Sequence, residues 1–510
     1  MNENSELGRV TSAEERFDRW RRRTGLLVGP GGALAVFVAT PDLPAEQRRL
    51  AAVLVLVVIF WVSEAIPLPA TALLGPALCV LAGVEEARKV LSPFADPIIF
   101  VFLGSFVLAR AMTINGLDRL LTLRLLRSPT IGQSPERIRL AVGAVALMLS
   151  MWISNTATVA ILFPIVVGIS NALDPLFARH GAEGARAGRR FLTGLMLMTA
   201  YAASVGGLAT PVGSPPNLIG LGMIDSLGGR RIPFFQWMLL GLPVAVLMFV
   251  LLSFLLRLLH PPPSHRLEGL SSALAEIEQG IVKWRGAQTC TLLAFLTAVG
   301  LWVLPGVVAL LRGAHDPLAR ALSGHLNEGV VALLAASLLF LLPVAWNPPR
   351  GALSWQEAAR IDWGTILLFG GGLSLGGLMH STGLAERLAH RLLGAENLAS
   401  VWMITAVATL LAILITETCS NAAAASMVVP VAIAVAQAAG VSPVPPALGA
   451  TIGASLAFVL PVSTPPNAIV YGSGRVGILQ MLRAGVLLDL LGFVLVLLLL
   501  RLLCPVLDLL

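Results

Sequence analysis

The sequence predicts an all-α membrane protein that crosses the bilayer many times. Of its 510 residues, 56% are hydrophobic and only 12% are charged, and the mean hydropathy is +0.84. A soluble domain carries about 25% charged residues, so this chain lacks the polar surface that water would require. Apolar runs long enough to span a bilayer recur along its length. Because lipid offers the backbone no hydrogen-bond partners, these runs are expected to be helices.

The apolar segments of spanning length give a polytopic fold with about eleven transmembrane helices. Their approximate bounds are 25–40, 50–64, 68–84, 96–114, 191–225, 236–258, 288–311, 328–344, 364–380, 447–475 and 484–506. Two further apolar stretches, about 140–171 and 400–436, are long for one crossing and short for two.

Basic residues indicate how the first of these two stretches lies. Cytoplasmic loops collect lysine and arginine, and arginines flank residues 140–171 on both sides. The flanking residues are Arg137, Arg139, Arg179, Arg186, Arg189 and Arg190. Both ends are therefore expected in the cytoplasm, which makes the stretch a re-entrant helical hairpin. The stretch 400–436 is expected to be its counterpart.

The same charge bias orients the chain as a multi-pass protein of the cytoplasmic (inner) membrane. With both hairpins counted as non-crossing, most basic residues are cytoplasmic if the N-terminus lies inside, and the C-terminus is then external. The predicted organisation is a cytoplasmic N-terminal segment, a first repeat, a cytoplasmic linker and a second repeat. Their bounds are 1–24, 25–258, 259–287 and 288–510.

Two polar motifs occur in both halves of the chain. Ser-Asn-Thr at residues 154–156 is matched by Ser-Asn-Ala at residues 420–422, and each lies inside an apolar stretch. A Pro-Pro-Asn motif follows in both halves, at residues 215–217 and 465–467. An odd number of predicted crossings separates equivalent points, so the second repeat is expected to be inverted. Duplicated, broken intramembrane segments of this kind indicate the binding site of a secondary transporter.

The residue types at these motifs suit an anion and a cation together. Ser, Asn and Thr cap helix N-termini, so the second arm of each hairpin should direct its free N–H groups and positive dipole end into the membrane. The hydroxyl, amide and freed backbone oxygens are hard ligands for a small cation. The Pro-Pro pairs break their helices and free backbone carbonyls, and Gly213 allows close approach. Sodium-coupled uptake of an anion fits this mixture of groups.

Other functional classes find little support in the sequence. The basic residues are dispersed, which argues against a nucleic-acid partner, and no Walker, dinucleotide or HExxH motif indicates an enzyme or an organic cofactor. Residues 372–376 match a nucleophile elbow by letter, but no strand precedes them. Glu417 is expected to carry a proton, to help bind a cation or to bond across the hairpin. Arg110, near the end of its helix, is expected to snorkel to the interface.

On these motifs the chain resembles the divalent anion/sodium symporter family of dicarboxylate, citrate and sulfate carriers, from about residue 25 to 506. The resemblance implies one sodium site built by Ser150, Ser154, Asn155 and Gly213. It implies a second built by Thr416, Cys419 (through its carbonyl), Asn421 and Ser463. The substrate would meet Asn155, Thr156, Ser214, Ser420, Asn421, Thr464 and Pro465, with Ala422 beside them.

The resemblance also implies a homodimer in which a transport domain slides past a fixed scaffold, in an elevator-like motion. Where the family often has a second Ser-Asn-Thr, this chain has Ala422, which removes one hydroxyl from the substrate pocket. The missing hydroxyl is expected to affect which anion the protein prefers.

The leading hypothesis is sodium-coupled symport of C4-dicarboxylates such as succinate, malate or fumarate. It rests on oxygen-rich cation sites beside uncharged anion donors, and on the expectation that no membrane-embedded arginine pair serves the substrate. Bound sodium would then supply the positive charge that the carboxylates need. A sodium-independent dicarboxylate exchanger and a carrier of tricarboxylate or sulfate are the alternatives.

Overall fold

The computed structural model describes residues 12–126, 134–262, 284–313, 315–347, 349–393 and 400–510. Within these residues the chain is a helical bundle with one short strand pair. Residues 263–283 of the predicted linker lie outside the described residues.

The first half of the bundle contains eleven described helices, several of them in pairs separated by a short break. They are α1 (Ser12–Ala39), α2 (Ala45–Ser63), α3 (Leu68–Leu81), α4 (Ala87–Leu91), α5 (Pro97–Ile114), α6 (Leu117–Leu126), α7 (Pro135–Ser150), α8 (Asn155–Ala178), α9 (Gly181–Gly206), α10 (Pro215–Gly228) and α11 (Phe234–Leu259). A 3₁₀ turn, Ser92–Ala95, joins α4 to α5.

The second half repeats this order, with one strand pair inserted after its third helix. Its elements are α12 (Gly286–Arg312), α13 (Pro317–His325), α14 (Glu328–Leu341), β1 (Pro343–Trp346), β2 (Pro349–Gly351), α15 (Trp355–Ala358), α16 (Trp363–Ser381), α17 (Leu384–Leu393), α18 (Val401–Thr416), α19 (Asn421–Ala438), α20 (Val444–Gly453), α21 (Pro465–Tyr471) and α22 (Ile478–Val506). The two strands pair antiparallel, with an irregularity between Pro343 and Ala345.

Helix length and apolar character support a protein that crosses the membrane repeatedly. In the described part of the chain, six helices are long and apolar enough to cross on their own. The pair α13–α14, bent by 64°, adds a seventh if it forms one span. The predicted count of about eleven also includes shorter helices and helices interrupted by a break, so it stays a prediction.

Both predicted hairpins are pairs of helices joined by a sharp break. The break between α7 and α8 covers residues 151–154, and the break between α18 and α19 covers residues 417–420. Ser154 and Ser420 are the N-cap residues of α8 and α19, and the side chain of each accepts a backbone hydrogen bond three residues on. The capping chemistry of these residues thus determines where each second arm begins.

The two broken helices bring the halves of the chain together. The segment predicted at 191–225 is α9 and α10, interrupted at residues 207–214, and that at 447–475 is α20 and α21, interrupted at residues 454–464. Pro at the first helical positions restarts each second piece. Helix α10 packs against α19 and α20, whereas α21 packs against α8 and α9. Each second piece therefore contacts the opposite half at the centre of the molecule.

The first helix is longer than the sequence indicated. The apolar segment predicted at 25–40 is the second part of α1, which begins at Ser12. The arginine-rich stretch before residue 25 is therefore partly helical. Arg21 on this stretch pairs with Glu64 at 2.9 Å, and Glu64 ends α2 in a left-handed conformation.

Candidate functional site

A cavity of about 660 Å³ lies where the two hairpin breaks and the two broken helices meet. All the residues predicted to meet the substrate line this cavity: Asn155, Thr156, Ser214, Ser420, Asn421, Ala422, Thr464 and Pro465. Ser214 and Thr464 are nearly inaccessible to solvent, which places them at its deep end. The fold thus brings together short polar motifs that are far apart in the sequence.

The four residues predicted for the first sodium site lie together at the α7–α8 break. The Ser150 hydroxyl, fully buried, donates to Asn155 Oδ1 at 2.6 Å. Ser154 and Gly213 line the cavity beside Asn155. A Cβ on Gly213 would lie 2.7 Å from the Gly207 carbonyl oxygen and 3.0 Å from that of Ser150. Only glycine leaves this space, and hydroxyl, amide and carbonyl oxygens converge around it.

The second predicted sodium site repeats the central contact at the α18–α19 break. Thr416 Oγ1 lies 2.9 Å from Asn421 Oδ1 and also 2.7 Å from the Ala454 carbonyl oxygen, so its hydroxyl donates to one or both. Ser463 lines the cavity, and its hydroxyl donates to the Leu460 carbonyl at 2.7 Å. Cys419 is buried, with its thiol directed at the Ile415 carbonyl. In both halves a hydroxyl meets an asparagine amide oxygen five residues later.

Two asparagines beneath the cavity received no role in the sequence interpretation. Asn217 Nδ2 donates to the carbonyls of Gly207 and Thr210 at 2.7 and 2.8 Å. Asn467 Nδ2 makes the equivalent bonds to Ala457 and Leu460, both at 3.1 Å. Each asparagine therefore fixes the interrupted backbone of a broken helix. The repeated Pro-Pro-Asn motif could have indicated this role, because the side-chain amide of an asparagine can donate to two freed carbonyls at once.

Glu417 holds the second broken helix in place. Its two carboxyl oxygens accept hydrogen bonds from the backbone N–H groups of Val459 and Leu460, at 3.0 and 3.1 Å. Of the three expected roles, the structure supports a structural bond, although the partners belong to the break after α20 and not to the other hairpin arm. Asp489 on α22 lies beside Glu417. The sequence interpretation assigned no role to Asp489.

Three helices begin at the cavity. The N-cap residues of α8, α10 and α19 are Ser154, Ser214 and Ser420, and all three line the cavity. Each helix therefore starts at the cavity, with the positive end of its dipole nearby. Helices α8 and α19 also have unpaired N–H groups in their first turns, whereas α10 begins with Pro215 and Pro216, which have no N–H. Together they can bind carboxylate oxygens without a charged side chain.

Two arginines also line the cavity. Arg110 of α5 and Arg360, just before α16, lie in the same lining as the hairpin motifs. The sequence led us to expect that Arg110 snorkels to the membrane interface and that no membrane-embedded arginine pair serves the substrate. Both expectations stay predictions.

The structure gives the nucleophile-elbow match a structural explanation. Ser374 lies in the middle of α16, is buried, and donates its hydroxyl to the Val90 carbonyl at 2.6 Å. No cluster of three or more His, Cys, Asp or Glu side chains suited to a metal occurs among the described residues. The cavity lining combines neutral oxygens and N–H groups with the guanidinium groups of Arg110 and Arg360 and the carboxylate of Asp362.

The described residues form a polytopic helical bundle in which two helical hairpins and two broken helices surround one polar cavity. This arrangement defines a membrane transport protein. Residues 27–510 match the family model described as the sodium:sulfate symporter transmembrane region. The chain belongs to that family, within the divalent anion/sodium symporters, and it is a transporter and not an enzyme.

Relatives of known name agree with this assignment. A Staphylococcus saprophyticus protein named sodium-dependent dicarboxylate transporter SdcS is 32% identical over 487 residues, which cover 94% of this chain and 91% of the relative. The Staphylococcus aureus protein of the same name is 31% identical over 492 residues, with the same coverage. An uncharacterised transporter of Haemophilus influenzae is 32% identical over 462 residues, 89% of this chain and 92% of its own.

A solved structure shares the fold at low sequence identity. Neisseria gonorrhoeae MtrF, described with a class of antimetabolite efflux pumps, aligns with a TM-score of 0.50 at 13% identity. The alignment covers 92% of this chain and 96% of MtrF. The similarity supports the transporter-type helical architecture.

Proposed function

We propose that this transporter couples sodium to the symport of C4-dicarboxylates, such as succinate, malate and fumarate, across the cytoplasmic membrane. The observation that carries the proposal is the repeated hydroxyl–amide pair beside the cavity, Ser150 with Asn155 and Thr416 with Asn421. Each pair directs two neutral oxygens at one place, next to helix N-termini suited to an anion.

Sodium is the cation that these oxygens suit. A cation bound at either pair would take the hydroxyl oxygen and the amide oxygen as ligands, with the hydroxyl hydrogen turned away. The carbonyls around Gly213 and the Ser463 hydroxyl would complete the sites. Two cations held at neutral ligands add positive charge beside the cavity. That charge favours a dianion, so sodium is expected to bind before the substrate.

The dicarboxylate would lie between the two hairpin breaks. One carboxylate would meet Asn155, Thr156 and Ser214 from the first half, and the other would meet Ser420, Asn421 and Thr464. Pro465 and Ala422 add apolar contact on the second side. A short four-carbon chain fits this arrangement of two polar ends. The names of the staphylococcal relatives, sodium-dependent dicarboxylate transporters, support the same substrate class.

Uptake into proteoliposomes tests the proposal. Labelled succinate should enter when sodium is present outside and should enter poorly when choline replaces it. Asn155→Ala and Asn421→Ala should each abolish uptake while the protein remains folded in the membrane, because each removes an amide shared by a sodium site and the substrate site. Equal uptake in choline would refute sodium coupling, and wild-type uptake by either variant would refute the site.

The same assay separates the alternatives. A sodium-independent exchanger would need dicarboxylate inside the vesicles to drive uptake of label. A tricarboxylate or sulfate carrier would show labelled succinate uptake that excess citrate or sulfate suppresses more strongly than excess malate. Either pattern would replace the proposed symport of C4-dicarboxylates.

A further inference from the structure

The charged side chains in the cavity lining are two arginines and one aspartate. Arg110, Arg360 and Asp362 line the same cavity as the hairpin motifs. Arg360 and Asp362 are exposed, as is Thr113 in the same lining. By contrast, Ser214 and Thr464 are only 2% and 5% exposed. The charged residues therefore lie at the solvent end of the cavity.

Arg110 faces the cavity because of its place on α5. One face of this helix supplies several cavity-lining residues: Ser105, Phe106, Ala109, Arg110 and Thr113. Positions spaced by three or four residues share a helix face. This face starts with Ser105 in the protein interior and ends with Thr113 in solvent, so Arg110 lies between the buried and the open end.

Neither arginine forms an ion pair with a carboxylate in the described part of the chain. Arg110 Nε is buried without a hydrogen-bond partner there. The Asp362 carboxylate accepts both the backbone N–H and the hydroxyl of Thr365, at 3.1 and 2.6 Å. Other arginines in this chain do pair with acids, such as Arg139 with Glu136 at 2.6 Å.

Glu357 is an acidic residue whose charge interacts with that of Arg110, and it also forms hydrogen bonds with Ser354. Glu357 Oε2 accepts hydrogen bonds from the backbone N–H and the hydroxyl of Ser354, at 2.8 and 2.7 Å. The side-chain and backbone hydrogen bonds of Ser354, followed by the charges of Arg350 and Arg110, lower the pKa of Glu357. The Glu357 carboxylate therefore bonds to Ser354 and forms no ion pair with Arg110 among the described residues.

We propose that Arg110 and Arg360 form an anion-docking station in the mouth of the cavity, which a dicarboxylate occupies on its way between the solution and the hairpin motifs. A concave surface with low-dielectric walls focuses the field of such charges and raises the local anion concentration. The station rests on the proposed function for its substrate class. Its electrostatic effect does not depend on which anion the protein carries.

A cysteine placed beside Arg110 measures this field directly. In a Thr113→Cys protein that also carries Cys290→Ser, the added thiol is the accessible one, since Cys79, Cys419 and Cys504 are buried. The measured quantity is the reaction rate of this thiol with an anionic methanethiosulfonate reagent divided by its rate with a cationic one, and we expect this ratio to favour the anion. A change in the thiol's own reactivity affects both rates and cancels in the ratio. Arg110→Gln with Arg360→Gln should lower the ratio by about tenfold.

Control variants separate charge from packing. Arg110→Lys with Arg360→Lys keeps both charges and should keep most of the ratio. Arg320→Gln removes an exposed arginine on α13, outside the cavity lining, and should leave the ratio unchanged. A ratio that stays the same in the double glutamine variant, or falls equally in Arg320→Gln, would overturn the proposal.

Transport gives the second readout. With the cavity-mouth side facing the substrate, the double glutamine variant should raise the KM for succinate by about tenfold while kcat and the sodium requirement change little. An unchanged KM would overturn the docking role. If the wild-type protein showed no sodium-driven succinate uptake, the proposed function would fail, but the labelling ratio would still decide whether the station attracts anions.

Discussion

Ser150 and Thr416 each contact the asparagine five residues later, and these two contacts are the smallest units of the site. Both residues are fully buried, so neither hydroxyl can exchange its partner for bulk water. An asparagine amide oxygen and a hydroxyl oxygen held 2.6 to 2.9 Å apart are placed to share a cation. The proposed coupling to sodium therefore depends on two hydroxyl groups.

Removing either hydroxyl should raise the sodium requirement. In Ser150→Ala or Thr416→Val, one neutral oxygen ligand is lost with little change in volume. We expect the sodium concentration for half-maximal succinate uptake to increase about tenfold, the effect of roughly 1.4 kcal/mol. Thr416→Ser retains the hydroxyl and serves as the matched control. An unchanged sodium dependence in both variants would remove these residues from the sodium sites.

Ala422 determines the polarity of one side of the pocket. It lines the cavity directly after Ser420 and Asn421, where the first half has Thr156. Ala422→Thr should restore a hydroxyl and change the order in which di- and tricarboxylates compete with labelled succinate, with less effect on the maximal rate. A competition profile identical to that of the wild type would show that residue 422 does not contact the substrate.

The breaks within helices, more than the helices themselves, build the site. At residues 207–214 the backbone leaves α9 and re-enters as α10, and Asn217 bonds two of the freed carbonyls. At residues 454–464, Asn467 bonds two freed carbonyls, and Glu417 accepts hydrogen bonds from two backbone N–H groups. Buried backbone groups that lose their helical partners are satisfied by these side chains. The carbonyls left at the cavity keep a fixed geometry.

Gly213 tests whether that geometry matters. In Gly213→Ala the new methyl group would lie 2.7 Å from one backbone oxygen and 3.0 Å from another, so the backbone must shift. We expect sodium-dependent uptake to fall by at least about tenfold, because carbonyl ligands move away from Asn155. Gly377→Ala on α16 is the matched control, since nothing lies within 4 Å of its added Cβ. Equal activity of the two variants would contradict the role of this break.

The positions of the helices could be predicted well from the sequence, but the contacts between helices could not. Apolar runs located most helices to within a few residues, and the capping chemistry of Ser154 and Ser420 identified both hairpin breaks. The place of Arg110 in the cavity lining was not predicted, because its position near a helix end does not show which neighbour its helix face meets. Asp489 was missed for the same reason, since it lies beside Glu417 only through long-range packing.

At the scale of the whole molecule, the two halves meet at a cavity. Helices α10 and α21 each pack on the opposite half, and we infer that the two hairpin-containing units move as one body around the cavity. Elevator-like transport would move this body against α5 and α14, which pack on each other. The family's expected homodimer would hold the latter helices still.

A cross-link between the two bodies tests this motion. Arg231, in the segment after α10, pairs with Glu328 at the start of α14, whereas the neighbouring Arg230 pairs with Asp508 after α22 at 2.9 Å. Arg231→Cys with Glu328→Cys, joined by a short bifunctional thiol reagent, should stop uptake until the link is reduced. Arg230→Cys with Asp508→Cys, joined likewise, should stay active because both residues belong to the moving body. Full activity of the cross-linked 231–328 protein would contradict the elevator motion.

Binding of succinate to the purified protein tests the central claim most directly. In calorimetric titration, the wild-type protein should bind succinate in sodium and show little binding in choline. Asn155→Ala and Asn421→Ala should each lose binding in sodium, since both hairpin breaks hold the same molecule. Succinate binding of equal affinity in choline, or retained binding in both variants, would contradict a site formed jointly by the two halves with sodium.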